Sequence, residues 1–113
     1  MDAYKFVVFT NPAAHREDEF NAWYDASHLD DVLRIPGFVA AQRFETAPLE
    51  RGNGPKFKYM TIYDIESDNI DETFETFFKT AGTERMPVSP GITGEASLSL
   101  YRVRGPVKTR SAG

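Results

Sequence analysis

The strand-forming segments of this chain are apolar on both faces, and that feature limits the folds open to it. Residues 4–10 are rich in β-branched and aromatic side chains and stop at Asn11-Pro12, so they read as a strand. Within them Tyr4, Phe6 and Val8 alternate with Val7 and Phe9. In residues 56–65, Phe57, Tyr59, Thr61 and Tyr63 alternate with Met60 and Ile62; in residues 96–104, Leu98 and Leu100 alternate with Tyr101 and Val103. An antiparallel sheet covered by helices on one side ordinarily shows a polar second face. Here the second face also needs cover. In 113 residues the simplest source is the sheet of a second copy, which makes a homodimer the expected state. A half-exposed face with scattered aromatics is the other reading of the pattern.

The segments between the strands are helical. Residues 17–34 predict a first helix of about five turns, with Asp18 and Glu19 where the helix dipole is positive. Ile35-Pro36-Gly37 ends it, because a residue before proline is pushed out of the helical region. Residues 38–47 read as the second strand, residues 48–55 as a loop and residues 56–65 as the third strand. Asp68 is placed to cap a second helix, in which Ile70, Phe74, Phe77, Phe78 and Ala81 form one apolar stripe and Gly82 is the stop. A Pro/Gly-rich loop over residues 86–94 leads to the last strand, residues 96–104. The order β-α-β-β-α-β is the split βαβ, or ferredoxin-like, pattern. The expected fold is therefore α+β: a four-stranded antiparallel sheet with two helices on one face. One domain takes up residues 1–113, with residues 105–113 as a flexible tail.

Charge and composition remove several functions. A net charge of -4 speaks against a nucleic-acid surface, which needs clustered Lys and Arg. Arg102, Arg104, Lys108 and Arg110 read as a solvated end. The chain has no cysteine, which excludes disulfides, thiolate nucleophiles and Cys-ligated zinc. No apolar run nears the ~18 residues of a membrane span, and no signal-peptide core is present, so a cytoplasmic protein without a membrane partner is expected. Two histidines with no H-x-x-x-H spacing give no metal site. Arg51-Gly52-Asn53-Gly54 is not followed by a helix, as a phosphate loop would be, and there is no Gly-x-Ser-x-Gly elbow.

The first helix holds the densest set of reactive side chains. At 100° per residue, Ala22, Ala26, Leu29 and Leu33 fall in one arc, the stripe expected on the sheet. Phe20, Tyr24, His28 and Asp31 fall in a second arc, with Trp23 on its flank. Tyr24 and His28 are an i,i+4 pair and His28 and Asp31 an i,i+3 pair, so all three can touch. An imidazole exchanges protons near neutral pH, Asp31 can orient it and Tyr24 can donate to a carbonyl oxygen. Phe20 and Trp23 supply apolar walls for a small hydrophobic or aromatic substrate. Tyr59 and Tyr63 share a strand face and line the same cavity in this reading, and Arg43 on the second strand holds an anionic group. The same residues also suit a plain reading: His28 at the edge of the core beside a carboxylate, Tyr59 and Tyr63 as packing, and Arg43 in an ion pair with Glu45 or another acid.

Residues 20–38, with Trp23-Tyr24-Asp25, His28-Leu29, Asp31-Val32-Leu33 and Ile35-Pro36-Gly37-Phe38, resemble the dimeric α/β-barrel superfamily, especially its EthD-like members. The resemblance implies a ferredoxin-like protomer whose sheet packs on a partner's to form a barrel, with a cleft between sheet and helices. It maps a helix histidine onto His28, whereas the proline that often follows the His-Leu pair is Asp30 here. A strand-borne second histidine of some cyclising relatives has no counterpart. The implied activity is that of a cofactor-independent isomerase, cyclase or lyase, with His28, Tyr24 and Asp31 as its catalytic residues. A non-catalytic binding dimer for a hydrophobic metabolite and a monooxygenase of the same fold, with or without haem, are the alternatives.

Overall fold

β1 (Asp2–Pro12) is the strand around which the sheet is built, pairing antiparallel with β3 (Tyr59–Ser67) on one side and β4 (Ile92–Arg102) on the other. β2 (Phe38–Glu45) pairs with β3, giving the order β2-β3-β1-β4. The computed structural model describes residues 1–49, 52, 54–89 and 91–111, and for residues 92 and 93 the backbone alone. The first helical segment runs without a break through α1 (Glu17–Trp23), a π-helical turn (Tyr24–His28) and α2 (Leu29–Leu33); α3 (Ile70–Thr80) connects β3 to β4. This is the ferredoxin-like α+β arrangement expected from the sequence.

Register decides the faces. Tyr4, Phe6, Val8 and Thr10 of β1 lie level with Ile65, Tyr63, Thr61 and Tyr59 of β3, and all eight are buried beneath the helices. Phe6 is the hub, meeting Phe38, Tyr63, Phe74 and Phe77 at centroid distances of 4.9–6.4 Å. Burying each of these rings stabilises by roughly 1.5–3 kcal/mol. Val7, Phe9, Met60 and Ile62 face the other way and are only partly covered. A Lys5–Asp64 ion pair at 2.5 Å stands among them. On the helix side, Leu98 and Leu100 align with Val8 and Phe6 yet remain 49% and 42% exposed, so the helical layer leaves β4 open.

Several details depart from the sequence reading. Ala22 and Ala26 are exposed, whereas Phe20 and Tyr24 are buried. The arc that meets the sheet is the aromatic one, because two rings remove far more apolar area from water than two methyls. The cap of α3 is Asn69, whose Oδ1 accepts from the Glu72 N–H at 3.2 Å, and not Asp68. Phe78 is 58% exposed and outside the packed stripe of Ile70, Phe74, Phe77 and Ala81. β4 begins at Ile92, earlier than expected, because a register shift after Thr10 lets Pro12 pair with Ile92. β3 starts later, at Tyr59, because the Asn11 side chain takes the backbone of Lys56 and Lys58 (3.0 and 2.8 Å) in place of a strand ladder. Gly37 ends the first helical segment at φ +100, where a Cβ would crowd Thr73 and the Glu66 carbonyl. Of the loop Arg51-Gly52-Asn53-Gly54, residues 51 and 53 lie outside the described residues, as do residues 112 and 113 of the tail.

Candidate active site on the first helical segment

The π-helical turn decides where the reactive side chains stand. One extra residue per turn rotates the helix, so that Phe20, Tyr24, Leu29 and Val32 follow one another on the inner side. Leaving α1, Phe20 and Tyr24 meet at 5.1 Å edge to face, and Tyr59 of β3 closes the group at 5.3 Å from Phe20. Trp23 flanks this cluster, with its indole N–H donating to the Pro87 carbonyl at 3.1 Å.

His28 ends the turn. Its imidazole is stacked on Trp23 (4.4 Å, 26°) and meets Tyr24 edge-on at 5.1 Å. Its Nδ1 is buried without a hydrogen-bond partner. Burial pushes its pKa down to about 4 against the opposing pull of Asp31, so the ring is neutral at pH 7. Asp31 does not hydrogen-bond His28; it accepts from Arg34 at 2.7 Å. Of the expected triad, Tyr24 and His28 touch, and Asp31 acts on the imidazole only through its charge. The Tyr24 hydroxyl is held above its ordinary pKa by burial, while the neighbouring Thr10 and Thr61 hydroxyls and Arg43 oppose the shift. It is therefore a phenol, a donor, at neutral pH. Tyr63, 2% exposed, belongs to the packed core, where burial raises its pKa as well.

Arg43 stands at the other side of Tyr24. Its guanidinium carbon lies 4.4 Å from the Tyr24 ring centre, 5.0 Å from that of Tyr59 and 5.4 Å from that of Phe20. Such contacts are worth about 0.5–2 kcal/mol each, most where water is excluded. Nη1 donates to Asp25 and Nη2 to Asn21, both at 2.9 Å, and the buried Nε has no partner. The acid that pairs with Arg43 is thus Asp25, not Glu45. Beside it Tyr59 donates to Glu17, which Lys58 also grips at 2.5 Å, and Asn21 donates to the Tyr59 oxygen at 3.1 Å. Lys58 and Tyr59 together hold the Glu17 carboxyl below its usual range. Asn21, Asp25 and Glu17 escaped the sequence reading, although Asn21 and Asp25 are an i,i+4 pair and the alternation of β2 turns Arg43 inward.

Among the described residues no group of His, Cys, Asp and Glu is placed to hold a metal ion, and no helix is long and apolar enough to cross a membrane. No family model and no curated protein matches the chain. Solved structures do. A candidate monooxygenase from Shewanella loihica PV-4 is similar with a TM-score of 0.61 and 15% identity, over 94% of this chain and 99% of that one. MhuD, a haem degrader from Mycobacterium tuberculosis with two haems in its active site, is similar with a TM-score of 0.60 and 22% identity, over 93% and 99%. An EthD family protein from Bacillus halodurans follows at 0.50 and 15%, over 88% and 96%. At these identities the likeness is one of fold. The chain shares their ferredoxin-like fold.

Proposed function

We propose that the chain is a homodimeric enzyme in which His28 acts as a base on a small apolar carbonyl or aromatic compound, without a cofactor. The observation that carries this reading is the buried, unpartnered Nδ1 of a neutral imidazole held between Trp23 and Tyr24. A neutral imidazole takes a proton on its unprotonated nitrogen, which an imidazolium cannot do. Removing a proton next to a carbonyl sends the electron pair onto the carbonyl oxygen. The Tyr24 hydroxyl is the donor that receives that enolate oxygen. The Asp31 charge favours the imidazolium that forms. Return of the proton to another carbon is an isomerisation; collapse of the enolate with loss of a leaving group is a cleavage. Trp23 covers the imidazole, while Phe20 and Tyr59 pack in one cluster with Tyr24.

Support for the homodimer comes from the sheet face opposite the helices, where Val7, Phe44, Ile62 and Tyr101 line a groove of about 800 Å³. Turnover is tested by mass spectrometry on lactones, enolisable ketones and hydroxylated aromatics with wild type and His28→Gln. A loss of about 10² or more in rate is expected. Undiminished turnover by a folded His28→Gln protein removes His28 from the mechanism. A ligand that raises the melting temperature but yields no product points to a binding dimer instead.

The likeness to a candidate monooxygenase favours a second reading, oxidation of the same class of compound by O2. Oxygen uptake coupled to substrate loss distinguishes it. A haem does not fit the described residues. The space between sheet and α3 is filled by Phe6, Phe38, Tyr63, Phe74 and Phe77.

A further inference from the structure

We propose that Arg43 is a carboxylate receptor, and that a small monocarboxylate binds it by taking the places of Asp25 and of the Asn21 amide oxygen. This site lies on the far side of the Arg43 cluster and does not depend on His28 chemistry. Three rings fix the guanidinium, and its Nη edge is turned toward Asn21 and Asp25. Asn21 Oδ1 and Asp25 Oδ1 sit at 2.9 Å from the two Nη atoms, one oxygen on each. Two oxygens on two Nη groups is the pattern that one carboxylate completes alone, as a bidentate pair. A single ligand group therefore reproduces what two protein residues now supply separately.

The resident acid is easily displaced. The Asp25 side chain is 66% exposed while that of Arg43 is 13% exposed, so Asp25 swings into water and loses only a single-oxygen contact. A depression of about 360 Å³ opens there, lined by Asn21, Asp25, Arg43, Phe44, Glu45 and Tyr59. The volume suits a single small ring. The other charges nearby set selectivity. Glu17 is engaged by Lys58 and Tyr59, whereas Glu45 stands on the rim and repels a second negative charge. A monocarboxylate is therefore preferred over a dicarboxylate.

The test is a titration with benzoate, followed by amide NMR shifts and calorimetry at low salt. Saturable shifts at Asn21, Asp25, Arg43, Phe44 and Tyr59 are expected, with weak binding in wild type because Asp25 competes. Asp25→Asn, a change at an exposed position that leaves the fold intact, is expected to tighten benzoate binding several-fold. Arg43→Lys, which cannot make a bidentate pair, is expected to weaken it about tenfold. Benzamide, neutral and of the same shape, is expected not to bind. Absence of saturable benzoate binding in both wild type and Asp25→Asn overturns the proposal, as does equal binding of benzamide.

Discussion

His28 lies against the face of Trp23, five residues before it in the chain, with ring centroids 4.4 Å apart. In a π-helical turn the hydrogen bonds join i and i+5, which brings residues five apart together. The turn at Tyr24–His28 therefore creates the stack, and with it the burial that keeps the imidazole neutral. Both are consequences of one inserted residue in an otherwise regular helix.

That burial makes stability depend on pH in a defined window. The folded-state pKa of His28, about 4, lies below its unfolded value of 6.5. As pH falls through this interval the unfolded chain takes up the proton and the folded chain does not, so stability drops; above 6.5 and below about 4 the contribution is flat. The full effect is on the order of 3 kcal/mol, reduced by solvent at the partly exposed ring. Urea unfolding between pH 7 and pH 4 is expected to lose this slope in His28→Gln. An equal slope in both proteins would assign it to other groups.

Deleting Ala26, an exposed residue of the turn, is expected to restore a plain α-helix. Phe20 and Tyr24 would keep their inner positions, and Leu29 and Val32 would move to the i+4 and i+7 places after Tyr24, still facing the sheet. The deletion variant is therefore expected to fold, with a melting temperature no lower than wild type. The Trp23–His28 stack is expected to change, raising the His28 pKa toward its ordinary value in a histidine NMR titration. A pKa that stays near 4 in the deletion variant separates the neutral imidazole from the turn.

The element order and the β-strand faces were legible in the sequence because period-two alternation in β1 and β3 depends on residue type alone. Which arc of the first helix meets the sheet was not legible. A 100° projection assumes uniform α geometry, and the π turn breaks that assumption in the middle of the reactive cluster. Tyr24 and His28 touch as their i,i+4 spacing predicts, since such neighbours stay close in either geometry. Asp31, which the same spacing predicts beside them, lies past the turn, where Arg34 holds it. The partner of Arg43 depends on a contact between β2 and a helix eighteen residues away, which local pattern does not encode. Similarly, Asp68 and Asn69 are both good caps by residue type, and only backbone geometry assigns the role to Asn69.

The aromatic stripe of α3 separates two neighbouring phenylalanines. Phe77 packs parallel to Phe38 at 5.5 Å and edge-on to Phe6 at 5.7 Å, while Phe78 is 58% exposed. Phe77→Ala is expected to cost about 3–5 kcal/mol, the range for a ring lost from a core. Phe78→Ala is expected to cost well under half of that. Chemical denaturation of the two variants checks the contrast, and equal losses would place Phe78 in an interface that the protomer alone does not show.

The sheet face opposite the helices carries the last expectation. Val7 and Ile62 lie side by side at its centre, next to the Lys5–Asp64 pair. A patch of this kind is rare on a soluble monomer and is best buried against its own copy, where two-fold symmetry sets the same residues opposite one another. Light scattering is expected to give twice the chain mass of 12.7 kDa. Ile62→Lys puts a charge at the centre of that contact, pairing like with like across the axis, and is expected to yield a folded monomer. Its circular dichroism should match wild type, because Ile62 points away from the packed core of Phe6, Tyr63 and Ile65. A wild-type monomer at micromolar concentration, or an Ile62→Lys protein that remains dimeric, would place the contact elsewhere or remove it.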